Sequence, residues 1–134
     1  MSLYIRSKTK PSCPRHGSPL FYIQGRYGGF YACGRYEIDC DITANKSKFD
    51  NHFHMTDQVT RDARKAAHAA FDPLWKTQNN PLRCHSQMSR KAAYHWLAEV
   101  LGTKRCDCHI QHFDAETCER VLAAVIELRR AVTT

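Results

Sequence analysis

The sequence predicts an α+β fold in which a small β-rich N-terminal region precedes three helices. Two strand-forming segments flank a glycine-rich turn between residues 19 and 33. Cysteine and histidine residues occur in pairs on both sides of these segments, from residue 13 to residue 40. Three later segments carry apolar residues at helical spacing. Together these patterns indicate a β-hairpin or short sheet held by side-chain ligands, followed by a helical part.

The β-rich elements are predicted in order along the chain. Residues 1–10 are basic and polar, which is typical of a flexible arm. Residues 19–24 and 29–33 are rich in strand formers, and the glycines between them indicate a turn. Residues 41–55 have no helical period and predict a strand and a loop.

Each helix is predicted from its capping residues and its apolar stripe. Thr56 or Asp57 begins the first helix, and Pro73 ends or kinks it. Ser89 caps the second helix and Gly102 ends it. Asp114 caps the third. The apolar stripes are Val59, Ala63, Ala66, Ala67, Ala70, Phe71 and Leu74, then Ala92, Ala93, Trp96, Leu97, Val100 and Leu101, then Cys118, Val121, Leu122, Val125 and Leu128.

Four residues near the N-terminus have the spacing of metal ligands. Cys13 and His16 form one pair, and Cys33 and Cys40 form the other. Zinc is bound tetrahedrally by about four thiolate or imidazole donors, and pairs at two chain reversals can supply them. The competing interpretation is three unrelated buried cysteines and a surface histidine. The spacing favours a closed zinc ribbon, and the predicted organisation is an arm at 1–10, a ribbon at 11–55 and a three-helix domain at 56–134.

Composition restricts the partners and the location. The chain has 134 residues, a net charge of +7 and a hydrophobic fraction of 43%. A basic chain favours an anionic partner. No apolar segment approaches the roughly 20 residues of a membrane helix. Seven cysteines without an apparent export signal favour metal binding in a reducing cytoplasm over a disulfide framework.

The ribbon segment resembles a known DNA-binding module. It contains Gly25-Arg-Tyr-Gly-Gly-Phe-Tyr-Ala-Cys33 between its two ligand pairs. In this it looks like the C-terminal zinc ribbons of bacterial type IA topoisomerases. That resemblance implies binding of single-stranded DNA. It covers about the first third of the chain, and His16 stands where such ribbons usually have a cysteine.

The remainder resembles a small family of zinc-finger-containing proteins of unknown function, found largely in bacteriophages and prophages. The matching segments are 66–75, 88–102 and 108–114, followed by Cys118. The resemblance implies a zinc site and a phage or prophage context, without an established activity.

The hairpin carries the candidate nucleic-acid contacts, which combine aromatic rings with cationic side chains. They are Arg26, Tyr27, Phe30, Tyr31, Arg35 and Tyr36. Aromatic rings can stack on bases while arginines bind phosphates. The alternative is that about half of these aromatics pack the ribbon instead.

A second group of cysteine and histidine residues lies later in the chain. It comprises Cys84, His85, Cys106, Cys108, His109, His112 and Cys118. A structural role is favoured over a second metal site, because Cys118 lies on the apolar stripe of the third helix. His52 and His54 are interpreted as loop residues.

The sequence therefore predicts a cytoplasmic, non-enzymatic phage accessory protein that binds nucleic acid, single-stranded DNA above all, with Zn²⁺ as cofactor and no membrane partner. The alternative is a protein-interaction module that modulates a host enzyme or defence complex. A metal-dependent nuclease would need a second occupied metal site.

Overall fold

A computed structural model describes residues 2–26, 28–76 and 89–133. Five strands precede three helices, as the α+β prediction requires. The strands are β1 (Tyr4–Ser7), β2 (Leu20–Gly25), β3 (Gly28–Cys33), β4 (Thr43–Lys46) and β5 (Phe53–Thr56). The helices are α1 (Gln58–Phe71), α2 (Arg90–Leu101) and α3 (Ala115–Thr133). Short 3₁₀ turns occupy Asp72–Leu74, Arg105–Asp107 and Ile110–His112.

The chain divides into two units, Met1–Arg61 and Asp62–Thr134, called here the N-terminal unit and the helical unit. The N-terminal unit is an antiparallel sheet with the strand order β1-β5-β4-β3-β2. The predicted hairpin is confirmed, with Tyr22 opposite Tyr31 across β2 and β3. The sheet is larger than the predicted ribbon, because the 41–55 segment leads into two strands rather than one.

The first strand corrects the expected flexible arm at residues 1–10. Ile5 pairs with Met55, and Tyr4 pairs with Thr56, so β1 is an edge of the sheet. Leu3 and Ile5 pack on the buried cluster of this unit. The alternation of these residues with their neighbours is typical of a strand, but the pattern is only three residues long. It is too short to predict a strand within a basic segment.

A buried histidine ties the first strand to its neighbour. The Tyr4 hydroxyl lies 2.6 Å from Nδ1 of His54, and Asp50 lies 2.9 Å from its Nε2. Arg6 forms an ion pair with the same carboxylate at 2.9 Å. Although burial acts in the opposite direction, hydrogen bonding by His54 and His52 and the Arg6 charge hold the pKa of Asp50 below its usual range. His54 is therefore a residue of β5 rather than of a loop.

The three predicted helix starts are confirmed by their caps. Asp57 accepts from the Thr60 amide at 3.0 Å, Ser89 from the Ala92 amide at 3.0 Å, and Asp114 from the Thr117 amide at 2.8 Å. Gly102 ends α2 with a φ of 70°. A left-handed residue at this point lets the last carbonyls of the helix be satisfied.

The helical unit is built around a continuous apolar cluster. Phe71, Leu97, Val121 and Val125 are fully buried within it. The predicted stripe of α2 is wrong at its edges, because Val100 is 45% exposed while Tyr94 is buried. The stripe is rotated toward Tyr94, whose ring meets Phe71 edge-on with centroids 4.8 Å apart. Among the described residues, no helix is both long and apolar enough to cross a membrane.

Candidate metal centre and hairpin surface

The first ligand pair lies in a tight turn ahead of β2. The Gly17 amide donates to the Cys13 carbonyl at 2.8 Å, and the Cys13 amide donates to the Ser18 carbonyl at 2.8 Å. Gly17 has a φ of 65°, which glycine adopts without strain. This reversal brings the side chains of Cys13 and His16 to the same point.

The second ligand pair lies where β3 ends. The Tyr36 amide donates to the Cys33 carbonyl at 2.9 Å and so closes a turn directly after the strand. The Arg35 carbonyl accepts from the Cys40 amide at 3.2 Å, which folds the six intervening residues into a loop. Cys40 is thereby brought back beside Cys33.

The four donor atoms of Cys13, His16, Cys33 and Cys40 all lie within 4.8 Å of one another. Sγ of Cys13 is 3.8 Å from Sγ of Cys40 and 3.8 Å from Nδ1 of His16. Sγ of Cys33 is 3.6 Å from the same Nδ1. A tetrahedral zinc ion with bonds of about 2.0 to 2.3 Å separates neighbouring donors by about 3.5 to 3.8 Å. The donor set therefore fits zinc in both chemistry and spacing.

The thiols of this cluster differ in their ease of ionisation. Burial raises the pKa of the Cys40 thiol to about 11, and the neighbouring Cys13 and Cys33 thiols add to the effect. Burial acts in the same direction at Cys33, but the Arg35 amide and His16 stabilise its thiolate and lower its pKa to about 7. Because metals bind thiolates, Cys33 is better prepared than Cys40 for a cation at neutral pH.

Arg15 joins the two ligand turns, a role that spacing alone did not indicate. It lies between Cys13 and His16 in the first turn, and its guanidinium donates to Asp41 at 2.8 Å, just after Cys40. It also reaches the buried Asp57 carboxylate at 3.3 Å. These two ion pairs link the first ligand turn to the segment that follows Cys40, so Arg15 is a positioning residue.

The sheet and its four-donor cluster define a zinc-finger type of protein with three cysteines and one histidine. Residues 14–128 match the family described as a zinc-finger-containing domain, and the chain belongs to that family. The family and the donor set together indicate zinc binding. No curated protein and no solved structure is significantly similar to the chain. The resemblance to topoisomerase ribbons and the phage context stay predictions.

Three of the predicted nucleic-acid contacts line one open pocket beside the hairpin. Arg26, Phe30 and Tyr36 meet there, with Thr43 and Asn45 from β4. The pocket has a volume of about 360 Å³. The Phe30 and Tyr36 rings meet edge-on, with centroids 5.5 Å apart. This hairpin pocket combines aromatic, amide and cationic groups on one face of the sheet.

The charge available in the hairpin pocket comes from Arg26. Arg61 also lines the pocket, but its guanidinium donates to the Asp41 carbonyl at 2.7 Å and to the Thr43 hydroxyl at 2.7 Å. Arg61 thus fastens the start of α1 to the sheet. Arg26 is exposed and forms no ion pair with any residue that the structure describes.

Tyr31 lies on the opposite face of the sheet from Phe30, because side chains alternate along a strand. Its ring meets Tyr22 at 5.3 Å and Phe53 at 5.5 Å, both edge-on. The Lys10 ammonium is 5.7 Å from the centre of the Tyr31 ring. Sequence reasoning missed Tyr22 and Lys10 as members of this surface. Tyr22 is 60% exposed. Side chains alternate along a strand, so Tyr22 lies on the opposite face of β2 from Phe21, and this alternation was the signal that could have identified it.

The other two predicted contacts lie apart from the hairpin pocket or outside the described structure. Arg35 is held by Asp39 through a two-pronged ion pair, with Nε 2.6 Å from one carboxylate oxygen. Its charge is therefore partly neutralised within the ligand loop. Tyr27 lies outside the described residues.

The later cysteine and histidine residues form no three-donor cluster with one another in the described part of the helical unit. Cys108 and Cys118 are fully buried in the apolar cluster. Burial raises the pKa of the Cys118 thiol to about 11. His109 instead faces the Cys106 carbonyl, with Nε2 at 2.9 Å. These contacts agree with the favoured structural role, while Cys84 and His85 lie outside the described residues.

Proposed function

We propose that this protein binds single-stranded nucleic acid, DNA in preference, through the β2–β3 hairpin, and that Cys13, His16, Cys33 and Cys40 hold one structural Zn²⁺. The observation that carries the nucleic-acid proposal is the hairpin pocket, whose lining includes Arg26 together with the Phe30 and Tyr36 rings. A single strand offers unstacked bases to such rings and phosphates to the arginine.

The energies involved are sufficient for a weak, sequence-tolerant contact. Base–aromatic stacking contributes about 1–3 kcal/mol per base, and every base has a face that can stack. Asn45 and Thr43 add hydrogen-bonding groups to the lining of the hairpin pocket. A ring on each face of β3, Phe30 and Tyr31, would allow more than one nucleotide to contact the hairpin.

The metal has a structural role in this proposal. Four protein donors fill a tetrahedral zinc site and leave no open position for a reacting water. Zinc would fix the turn at Cys33 and so the position of Tyr36 against Phe30. No residue is assigned a catalytic role, and the phage accessory role rests on the resemblance of the sequence.

The test is a titration of a fluorescent single-stranded oligonucleotide with protein whose zinc content is measured on the same sample. Binding should weaken steeply between about 50 and 200 mM salt, because released counterions drive it. We expect Phe30→Leu and Arg26→Ala each to weaken binding about tenfold, the effect of roughly 1.4 kcal/mol. Phe49→Leu is the matched aromatic control, since Phe49 is 70% exposed in the turn between β4 and β5.

A lack of binding at low salt by protein with one zinc per chain would overturn this proposal. Equal binding by Phe30→Leu, Arg26→Ala and the Phe49 control would remove the hairpin pocket from it. An RNA oligonucleotide of the same sequence tests the preference for DNA.

The alternative is the protein-interaction module directed at a host enzyme or defence complex. Ile38 favours it, because this apolar side chain is 77% exposed in the loop between Cys33 and Cys40. Under the alternative, Ile38→Glu would abolish capture of a host protein and leave zinc content unchanged. Under the nucleic-acid proposal, the same substitution leaves oligonucleotide binding within about twofold of wild type.

A further inference from the structure

The helical unit carries a second group of cationic and aromatic side chains, where α2 begins. The Arg90 guanidinium lies 5.1 Å from the centre of the Tyr94 ring and 5.4 Å from that of Trp75. The Arg105 guanidinium lies 4.5 Å from the Tyr94 ring centre. Two guanidinium groups therefore share one buried tyrosine ring.

These two arginines keep their hydrogen-bond donors available. Neither forms an ion pair or a side-chain hydrogen bond with another residue in the part of the chain that the structure describes. A guanidinium that contacts an aromatic ring by a cation–π interaction does not use up its N–H donors as it would in an ion pair. The ring contacts therefore leave the donors of both groups available for a ligand.

The electrostatic setting of Arg90 also favours an anion. Arg90 is the first residue of α2, whose first turn contains no acidic residue. Helix N-termini carry a partial positive charge, which disfavours a cation there and favours a bound anion. Lys76 lies 5.3 Å from the Trp75 ring centre, and Asp72, at 3.4 Å from its Nζ, is its carboxylate partner. The group around Tyr94 therefore keeps an excess of positive charge.

We propose that Arg90 and Arg105 bind a backbone phosphate of the nucleic acid, as a second contact separate from the hairpin pocket. This inference rests on the proposed function. Phosphate is the group chosen because its several oxygens accept two-pronged hydrogen bonds from more than one guanidinium. Both guanidiniums contact the same ring, so successive phosphates of one strand are the ligands that we expect at this pair.

The experiment compares two double variants that remove the same charge. Arg90→Ala with Arg105→Ala removes the ring-bound pair. Lys91→Ala with Lys104→Ala removes two exposed cations from neighbouring positions. Binding of a labelled single-stranded oligonucleotide is measured across a range of salt concentrations, and helix content is checked by circular dichroism.

We expect the arginine double variant to bind at least tenfold more weakly and to lower the salt slope by about 0.7 for each phosphate that the protein no longer neutralises. The lysine double variant should change both quantities much less. A third variant, Arg90→Lys with Arg105→Lys, keeps the charge and the fold but cannot make two-pronged hydrogen bonds, so it should recover only part of the affinity.

Four results would overturn this inference. If the arginine and lysine double variants bind alike, the ring contacts have only a packing role. If binding depends on Arg26 and Phe30 but not on Arg90 and Arg105, the hairpin proposal stands and this one fails. If polyglutamate competes at the arginine pair as well as the oligonucleotide does, the ligand is a carboxylate surface. Absence of nucleic-acid binding by the wild type overturns both proposals.

Discussion

The two units of this chain differ in what fills their interiors. Among the described residues, the buried cluster of the N-terminal unit has seven members, and three of them are the thiols Cys13, Cys33 and Cys40. The cluster of the helical unit is dominated by aliphatic and aromatic side chains such as Phe71, Leu97 and Val125. A small unit with few apolar groups to bury gains its folding energy from a bound metal. The first unit should therefore depend on zinc and the second on apolar burial.

The largest effect is expected from loss of one zinc ligand. Zinc binding contributes roughly 10–16 kcal/mol in zinc-finger peptides, so Cys33→Ser should remove the metal and unfold the N-terminal unit. Metal analysis should fall from one zinc per chain toward none. Amide NMR signals of the sheet should lose their chemical-shift dispersion, while those of the helical unit should be unchanged.

Cys106→Ser is the matched control, because Cys106 is an exposed thiol outside the cluster. It should retain one zinc and an ordered sheet. A Cys33→Ser protein that kept both would break the contrast between the two units and leave apolar packing as the source of their stability.

The second effect is expected in the helical unit, from Phe71→Ala. Phe71 is fully buried against Tyr94, and removal of a buried phenylalanine costs about 3–5 kcal/mol. Chemical denaturation followed by circular dichroism at the helix band measures this loss. Zinc content should stay at one per chain, which separates this variant from Cys33→Ser.

Val100→Ala provides the control for Phe71→Ala, since Val100 is on the exposed side of α2. We expect its cost to stay within about 0.5 kcal/mol. A comparable loss of stability in both variants would show that the apolar cluster is not what stabilises this unit.

The smallest effect concerns helix caps, and it depends on pH. Hydrogen bonds from Thr117, side chain and backbone, lower the pKa of Asp114 at the start of α3. Because the pKa of Asp114 is lower in the folded chain, the cap stabilises the fold fully at pH values above the ordinary carboxyl pKa of about 3.9. This stabilisation is lost as the pH falls through the pKa of the folded state. Asp114→Ala should therefore cost about 0.5–2 kcal/mol at neutral pH and progressively less in acid.

Ser89→Ala tests the same kind of cap without a titrating group. Ser89 accepts from the Ala92 amide through a neutral hydroxyl. The loss of stability caused by Ser89→Ala should be similar to that of Asp114→Ala at neutral pH, but it should stay constant on acidification. Both variants are followed by circular dichroism at the helix band. If the cost of Asp114→Ala also stays constant, the charge of that cap contributes nothing.

The residues that sequence reasoning placed correctly are those whose signals are local. The helix caps Asp57, Ser89 and Asp114 each lie three residues before the amide that they bind. The hairpin follows from the glycines of its turn. The four ligand residues come together because each pair lies at a short reversal of the chain.

The misplaced residues depend on partners that the local pattern does not reveal. Tyr4 belongs to a strand because Thr56, far along the chain, pairs with it. Tyr94 rather than Val100 faces inward on α2, and Phe71 of another helix is its packing partner. The pattern of apolar and polar residues in one segment specifies none of these pairings.

The sequence by itself determined the α+β class, the ligand pairs, the hairpin and the helix caps, because turns, caps and ligand spacing are interactions over a few residues. Only the tertiary structure decided that the sheet has five strands, that Phe30 and Tyr31 lie on different surfaces, and that two arginines contact the Tyr94 ring. Those outcomes depend on which apolar faces become buried and on the pairing of segments that are far apart in the sequence. Both are settled by the free energy of the whole chain rather than by any segment of it.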